Sequence, residues 1–203
     1  MSNLQDRQAL RKALREQRNA LTANQQQHAS QAVLDNLLSL PAITRATSIA
    51  CYLPNDGEVD LTSFINTCWK LPPGDKKITT LPVLHPVCKG HLLFLQYNDS
   101  TLMRANKYGI EEPALACNQV VPTPHHHVVL MPLVGFDSSG NRLGMGGGYY
   151  DRTLSHIHSR KARPQLIGIA HDCQQVDQLP VQAWDIPVDA IITPTQQLIF
   201  SHR

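Results

Sequence analysis

One short segment of the chain combines conformational freedom with charge. Five of the eleven glycines are Gly140, Gly144, Gly146, Gly147 and Gly148, so nearly half of them fall within nine positions. Glycine adopts positive φ angles and lets a ligand approach the backbone without a Cβ in the way. The flanking Arg142 and Arg152 could neutralise phosphate charge, and Asp151 could coordinate Mg²⁺. The segment NRLGMGGGYYDR (141–152) therefore predicts a site for a nucleotide phosphate with its metal ion.

The order of the neighbouring elements favours this interpretation. The run VVLMPLVGF (128–136) has the pattern of a buried strand, and a third long helix is predicted to open within YYDRTLSHIHSR (149–160). Main-chain N–H groups at a helix start point outward, and the helix dipole favours an anion there. The segment is neither a Walker A motif, since no GK[ST] follows, nor a dinucleotide fingerprint, since the glycine spacing differs. A flexible surface loop joining strand to helix is the alternative.

Short apolar runs alternate with helical segments along the chain. The predicted strands are SIACYL (48–53), KITTLPVL (77–84), HLLFLQY (91–97), VVLMPLVGF (128–136), QLIGIAH (165–171) and DAIITP (189–194). Several are apolar throughout, which is typical of central strands buried on both faces. A helix is predicted from Asp60 to about Leu71. We expect a single α/β domain over residues 1–203, with three layers and a mostly parallel central sheet flanked by helices.

Two further helices are predicted before the first strand. Leu10, Leu14 and Leu21 recur at helical spacing in a basic amphipathic stretch. Thr22 is suited to cap a second helix that runs to about Leu40, where Pro41 stops it. These helices should form an N-terminal helical hairpin (1–40) packed on the domain. The polar, proline-rich segment 98–127 is predicted to be a long loop that contributes to substrate binding.

Composition excludes several classes of protein. A hydrophobic content of 42% supports a buried core, and a net charge of +2 without a basic run argues against nucleic-acid binding. The first twenty residues lack the apolar core of a signal peptide, and no stretch approaches a membrane span. Five cysteines without a CxxC pair indicate free thiols. We expect a soluble, cytoplasmic monomer that acts on small molecules and has no membrane partner.

The segment RLGMGGGYYDR (142–152) closely resembles the RLGxGxGYYD signature of the 5-formyltetrahydrofolate cyclo-ligases, also called methenyltetrahydrofolate synthetases. The similarity continues along the chain and in the same order. The other similar blocks are RQALRKALREQR (7–18), YLPNDGEVD (52–60), NKYGIEEP (106–113), PLVGFDSSG (132–140) and HDCQQVDQLPVQAWDIPVDAIITP (171–194). Together they cover nearly the whole chain, so a chance match is not expected.

The resemblance implies an ATP- and Mg²⁺-dependent ring closure that converts 5-formyltetrahydrofolate into 5,10-methenyltetrahydrofolate with release of ADP and phosphate. The formyl oxygen is a poor leaving group, so transfer of the γ-phosphoryl to it makes an iminophosphate that N10 attacks and from which phosphate departs. Such chemistry depends on positioning and charge neutralisation rather than on a nucleophile triad. The alternatives are a non-catalytic folate or nucleotide binder of the same fold, and a related α/β enzyme acting on a phosphorylated sugar or a thioester.

The resemblance also implies which residues bind ATP and the metal. Arg7 and Arg11 of the first helix would contact the phosphates, although many members have lysine at the position of Arg7. The backbone of the signature would bind them too, through Arg142, Leu143, Gly144, Met145, Gly146, Gly147, Gly148, Tyr149 and Tyr150. Catalytic roles fall to Arg142 and Asp151, and metal binding falls to Asp151 and Asp189. Some members carry a lysine where this chain has Gly147, so arginines must supply that charge.

For the folate, the resemblance implies a second group of residues. Glu58 would accept two parallel N–H bonds from the pterin edge, as a carboxylate can. Leu53 would line the same pocket, and Tyr108 would stack on a flat ring. Part of the signature would contact the folate as well, namely Met145, Gly146, Gly147, Gly148 and Tyr149.

Other conspicuous residues receive structural interpretations. The consecutive His125, His126 and His127 cannot all face one ion, so no metal site is predicted there. The cysteines lack a paired spacing and a basic neighbour, so none is assigned a catalytic role. Trp69 and Trp184 are predicted to be packing residues.

Overall fold

The computed structural model describes residues 3–156 and 163–200. The strands are β1 (Ser48–Ala50), β2 (Ile78–Leu84), β3 (Leu92–Gln96), β4 (Met103–Ala105), β5 (Glu111–Pro113), β6 (Val128–Pro132), β7 (Gly135–Phe136), β8 (Arg142–Leu143), β9 (Gln165–Ile169), β10 (Ala190–Ile192) and β11 (Gln197–Ile199). The α-helices are α1 (Asn3–Asn19), α2 (Ala23–Ser39), α3 (Pro41–Arg45), α4 (Thr62–Lys70) and α5 (Tyr149–Leu154). Short 3₁₀ turns lie at Cys117–Gln119, Thr123–His125 and Asp172–Gln174.

The central sheet has the strand order β11-β10-β9-β6-β1-β2-β3. Neighbouring strands from β10 to β2 pair in parallel, whereas β3 and β11 add antiparallel edges. This arrangement confirms the predicted α/β fold with a mostly parallel sheet. Because parallel strands end at the same edge, the segments that follow β1, β2 and β6 meet there. Ligands of open α/β sheets bind at that carboxyl edge.

The sheet is buried on both faces by different elements. On one face, Leu37 of α2 and Phe64 of α4 pack in a core that includes Leu130 of β6. On the other face, Leu154 of α5 packs in a core that includes Met131. Adjacent residues of β6 enter different cores because successive strand side chains point to opposite faces. Burial of each such side chain contributes roughly 1.5–3 kcal/mol to folding.

The second helix begins as predicted. Thr22 Oγ1 accepts a hydrogen bond from the Gln25 amide at 3.3 Å, and the Gln25 side chain accepts one from the Thr22 amide at 2.9 Å. This reciprocal pair is a capping box. Pro41 follows the end of α2, and it is also the first residue of α3, a position where the missing N–H costs nothing.

The first two helices bury their apolar faces in different places. Leu14 of α1 packs with Val134, Leu143 and Leu179, beyond the carboxyl end of β6. The apolar face of α2 instead packs against the sheet in the core with α4. The helix α1 therefore lies near the edge where the parallel strands end. No helix in the described ranges is both long and apolar enough to cross a membrane.

Three predicted elements differ from the structure. The run 128–136 ends as a central strand at Pro132 and continues as β7, which pairs with β8 in a separate two-stranded sheet. Proline lacks the N–H that a continued ladder needs. The helix predicted within YYDRTLSHIHSR ends at Leu154, so it is short rather than long, and residues 157–160 of that segment lie outside the described residues. The predicted loop 98–127 contains the β4–β5 hairpin.

Candidate functional site

A pocket of about 470 Å³ opens at the carboxyl edge of the sheet. Its wall is formed by the segment after β1, the ends of β2 and β6, the β4–β5 hairpin and the glycine loop, defined here as Gly144–Gly148. The sequence-predicted site residues in this wall are Leu53, Glu58, Tyr108, Arg142, Gly144, Met145, Gly147, Gly148, Tyr149, Tyr150 and Asp151. The fold thus brings the predicted phosphate loop and the predicted substrate carboxylate to one cavity. Leu143 and Gly146 belong to the same segment but are not in the wall.

The glycine loop exposes main-chain donors. Gly146 and Gly148 have φ angles of 94° and 64°, which side chains rarely tolerate. Within the described chain, no main-chain N–H of residues 144–148 donates a hydrogen bond to another protein group. Such donors are free to bind an anion. Because α5 has only six residues, the loop itself rather than a long helix must supply most of this attraction.

Arg142 and Asp151 form an ion pair in the pocket wall. Arg142 Nη2 donates to Asp151 Oδ1, and the two side chains are 5% and 18% exposed. Both are anchored to the main chain of Ile186: Arg142 Nε donates to its carbonyl at 2.9 Å, and its amide donates to Asp151 Oδ1 at 3.2 Å. Two chain segments therefore hold one cation and one carboxylate in fixed positions beside the glycine loop.

Two further arginines contact the glycine loop. Arg11 of α1 donates from Nε to the carbonyl of Gly144 at 2.8 Å. Burial, and then the nearby charge of Arg7, lower the pKa of Arg11. Arg152 donates to the carbonyls of Gly147 and Gly90. Arg11, Arg142 and Arg152 thus place positive charge around the loop. This agrees with the expectation that arginines supply the charge in a chain that has glycine at position 147.

Arg7, a predicted ATP-binding residue, and Asp189, a predicted metal ligand, both pair with residues outside the pocket wall. The buried Arg7 forms a bidentate ion pair with Asp185, at 2.5 and 3.0 Å, and donates to the carbonyl of Pro180. Asp189 precedes β10, at the opposite end of that strand from the pocket edge, and pairs with Arg163 at 2.6 and 2.7 Å. Neither residue is in the pocket wall. The phosphate role of Arg7 and the metal role of Asp189 stay predictions that the geometry does not favour.

Glu58 lies in the pocket wall, in the turn after β1. Its Oε2 accepts a hydrogen bond from the Asn55 amide at 3.1 Å, and its own amide donates to the Asn55 carbonyl at 3.1 Å. Burial raises the pKa of Glu58 to about 7, and the positive charge of Arg18 partly opposes this rise. A carboxyl with such a pKa changes its charge near neutral pH, as functional groups in clefts often do.

Tyr108 is held over the pocket by the β4–β5 hairpin. It is 57% exposed, and its hydroxyl lies 2.8 Å from that of Tyr149. Asn106 Oδ1 accepts from the Tyr108 amide, and Asn106 Nδ2 donates to the buried Glu112. Asn106 and Glu112 also line the pocket and were not predicted. No pattern in the sequence distinguishes the buried Glu112 from the exposed Glu111 beside it.

The remaining conspicuous residues have local partners. The buried His126 lies 2.9 Å from Thr80 Oγ1, and burial lowers its pKa to about 4. No cluster of three or more metal-ligating side chains occurs within residues 3–156 and 163–200. Trp69 packs edge-on against Tyr97, as predicted. Trp184 is 63% exposed, so its predicted packing role is wrong. Its neighbours Asp185 and Ile186 are anchored instead, which leaves the indole at the surface of the loop.

The chain is similar in sequence to known 5-formyltetrahydrofolate cyclo-ligases. The model of the 5-formyltetrahydrofolate cyclo-ligase family matches residues 3–194. A 5-formyltetrahydrofolate cyclo-ligase of Escherichia coli K12 is 42% identical over 183 residues, which are 90% of this chain and 97% of that protein. One from Haemophilus influenzae is 43% identical over 190 residues, 94% of this chain and 98% of that protein.

Solved structures agree with these sequence matches. The 5,10-methenyltetrahydrofolate synthetase of Aquifex aeolicus superposes with a TM-score of 0.79 at 30% identity, covering 95% of this chain and 92% of that one. The 5,10-methenyltetrahydrofolate synthetase of Mycoplasma pneumoniae superposes with a TM-score of 0.72 at 27% identity, covering 93% and 99%.

Proposed function

The chain belongs to the 5-formyltetrahydrofolate cyclo-ligase family, and from this premise we propose that it converts 5-formyltetrahydrofolate into 5,10-methenyltetrahydrofolate, with ATP converted to ADP and phosphate. The names of the relatives support this catalytic function over the alternative of a non-catalytic binder. One observation carries the proposal. A single cavity is lined by Glu58, by the Arg142–Asp151 pair and by the glycine loop, so the predicted folate carboxylate and the predicted phosphate site face the same space.

The phosphate side of the pocket suits phosphoryl transfer. The formyl oxygen attacks the γ-phosphorus, and the bond from that phosphorus to the bridging oxygen of ADP breaks, which gives the iminophosphate. N10 then attacks the formyl carbon and loses its proton to water, and the C–O bond breaks with release of phosphate. We propose that the amides of the glycine loop, Arg11 and Arg142 bind the phosphates. Preorganised donors of this kind stabilise the charge that develops during transfer.

Asp151 is the residue that fits a magnesium ion. Mg²⁺ is commonly held by one or two carboxylates together with substrate phosphates, and Asp151 presents a carboxylate beside the loop amides. When bound, the ion would neutralise charge on the phosphate oxygens. Asp189 is left out of this proposal because Arg163 pairs with both of its oxygens.

The folate side of the pocket supplies orientation. We propose that Glu58 accepts N–H bonds from the pterin edge, that Leu53 contacts the ring, and that Tyr108 and Tyr149 cover it. Their hydroxyl groups lie 2.8 Å apart in the pocket wall. We also propose that the chain acts as a monomer, because one chain supplies the whole wall, and that it is cytoplasmic, because all five cysteines are free thiols.

The function is tested by mixing the protein with MgATP and 5-formyltetrahydrofolate and following the near-ultraviolet absorbance of the methenyl product. We expect a rise that depends on both substrates. Binding of both ligands by folded protein without product would support the non-catalytic alternative. Absence of folate binding would support the alternative that the substrate is a phosphorylated sugar or a thioester.

We predict an acid limb in the pH profile for the folate. Burial raises the pKa of Glu58 to about 7 in the free protein, so the carboxyl becomes protonated below that pH and loses its capacity to accept two N–H bonds. Since kcat/KM for a substrate reports the enzyme form that has not yet bound it, kcat/KM for 5-formyltetrahydrofolate should fall about tenfold per pH unit below this value. The profile is measured at saturating ATP. A profile that stays flat down to the ordinary pKa range of glutamate contradicts the assignment.

A further inference from the structure

The turn that carries Glu58 is attached to the N-terminal helix through Asp56. Arg15 Nε and Arg18 Nη2 of α1 donate to Asp56 Oδ2 at 2.6 and 2.9 Å, and Asn19 Nδ2 donates to Asp56 Oδ1 at 3.1 Å. We call these four residues the Asp56 cluster. Helix α1 thus contacts both the Glu58 turn and the glycine loop, because Arg11, one turn earlier, binds the carbonyl of Gly144.

The backbone at Asp56 is held in a conformation that needs such support. Asp56 is the non-glycine residue with positive φ among the described residues, at 51°, and Gly57 follows at 75°. The left-handed region is unfavourable for a residue with a Cβ, and it persists where surrounding contacts over-determine it. The Gly57 carbonyl is bound as well, by the side chains of Gln26 and His171 at 3.3 and 3.2 Å. The turn is therefore fixed immediately before Glu58.

Arg18 is unusual among the members of the cluster. Its side chain is fully buried, and Nη1 donates to the carbonyl of Leu133, just beyond β6, at 3.1 Å. A buried guanidinium requires a carboxylate partner, and Asp56 supplies it. The same charge lies close enough to Glu58 to lower its pKa. Arg18 thus ties the Glu58 turn to the end of a central strand.

We propose that Arg15, Arg18 and Asn19 act through Asp56 as positioning residues for Glu58, so that the N-terminal helix sets the folate affinity of the pocket. This inference rests on the proposed function, because it takes 5-formyltetrahydrofolate as the ligand of Glu58. Freed from the cluster, the turn 55–58 can leave its left-handed conformation, and Glu58 loses its place in the wall. The phosphate side has its own anchors at Ile186 and Gly90, so ATP binding is left unchanged.

The test compares Asp56→Asn with wild type by calorimetric titration of 5-formyltetrahydrofolate without ATP, and of MgATP without folate. Asparagine tolerates positive φ, so the variant keeps a permissive backbone and loses the charge that the arginines bind. We expect folate to bind about tenfold more weakly, as loss of charged hydrogen bonds predicts, and ATP to bind as in wild type. Lys12→Met is the matched control, because Lys12 is exposed on the same helix and contacts only Glu16, at 3.9 Å, as its ion-pair partner within the described chain.

The pH dependence of folate binding distinguishes a positioning role from a merely structural one. The charged and titratable groups facing Glu58 are Arg18, Asp56, Tyr52 and Tyr150. Arg18→Met removes a cation and should shift the acid limb to higher pH, whereas Asp56→Asn removes an anion and should shift it to lower pH. Arg15→Met, at a half-exposed partner of Asp56, replaces Asp56→Asn in the affinity comparison if the latter does not fold.

Three outcomes overturn the inference: wild-type folate affinity in Asp56→Asn, an equal loss of ATP and folate affinity, or acid limbs that shift in the same direction. The proposed function fails separately, if wild type binds folate and ATP and makes no methenyl product, and the affinity comparison stands in that case. Wild type that binds no folate overturns both.

Discussion

Replacing Asp151 by asparagine is expected to lower kcat by at least about 100-fold, because loss of a group that only orients a metal ligand already costs about 10- to 100-fold. The carboxylate lies in the pocket wall beside the glycine loop, and Arg142 and the Ile186 amide hold its position. Asparagine keeps an oxygen that can accept both hydrogen bonds but removes the negative charge that a magnesium ion requires. The measurement is the initial rate of methenyl product formation at saturating folate and ATP, over a series of Mg²⁺ concentrations.

A matched control separates this effect from damage to the fold. Asp177→Asn makes the same chemical change at an exposed position outside the pocket wall and should leave kcat unchanged. Circular dichroism should show a folded Asp151→Asn protein, although the loss of charge opposite the buried Arg142 lowers its melting temperature. A kcat close to that of wild type at every Mg²⁺ concentration would remove Asp151 from the metal site.

Replacing Glu58 by glutamine is expected to raise the KM for 5-formyltetrahydrofolate by roughly 100-fold, as loss of a charged, two-point hydrogen bond predicts. A glutamine amide offers one acceptor and places a donor where the pterin edge also donates. The KM for ATP should change little, because within the described chain Glu58 makes no hydrogen bond or ion pair with the glycine loop or with the arginines beside it. The two constants are measured above pH 7, where wild-type Glu58 is ionised in view of its pKa of about 7.

The control for this change is Glu16→Gln, at an exposed position on α1, which should leave both constants at their wild-type values. The acid limb of kcat/KM should also disappear in Glu58→Gln, because the variant has no carboxyl to protonate there. Equal increases in the two KM values would contradict the pterin assignment and would indicate general disruption of the pocket.

The arginines of α1 show that a sequence match alone does not tell which partner a side chain contacts in the structure. By resemblance, Arg7 and Arg11 have the same role. In the structure, Arg11 contacts the glycine loop, whereas Arg7 is committed to Asp185 and Pro180. Arg15 and Arg18, to which the sequence assigned no role, hold the Glu58 turn. A periodic pattern assigns residues to one face of a helix but does not distinguish among them. In the structure, each residue contacts a different partner along the helix axis.

Local sequence was sufficient wherever the chemistry is local. Apolar runs that alternate with helical segments predicted the parallel sheet, because strands buried on both faces are hydrophobic along their whole length. Thr22 marked a helix start through hydrogen bonds to residues three positions away. The glycine cluster indicated exposed main-chain donors, since only glycine takes the φ angles found at Gly146 and Gly148 without strain.

Only the tertiary structure decided which distant groups share the pocket. It placed Glu58 and Asp151 in one wall, paired Asp189 with Arg163, and left Trp184 exposed. It also buried Glu112 and Arg18, whose positions depend on chain segments far away in sequence. A motif such as NRLGMGGGYYDR determines the kind of ligand its backbone can bind. Which charged side chains surround that ligand depends on the order of the strands in the sheet and on which strand ends lie next to each other. No short segment of the sequence contains this information.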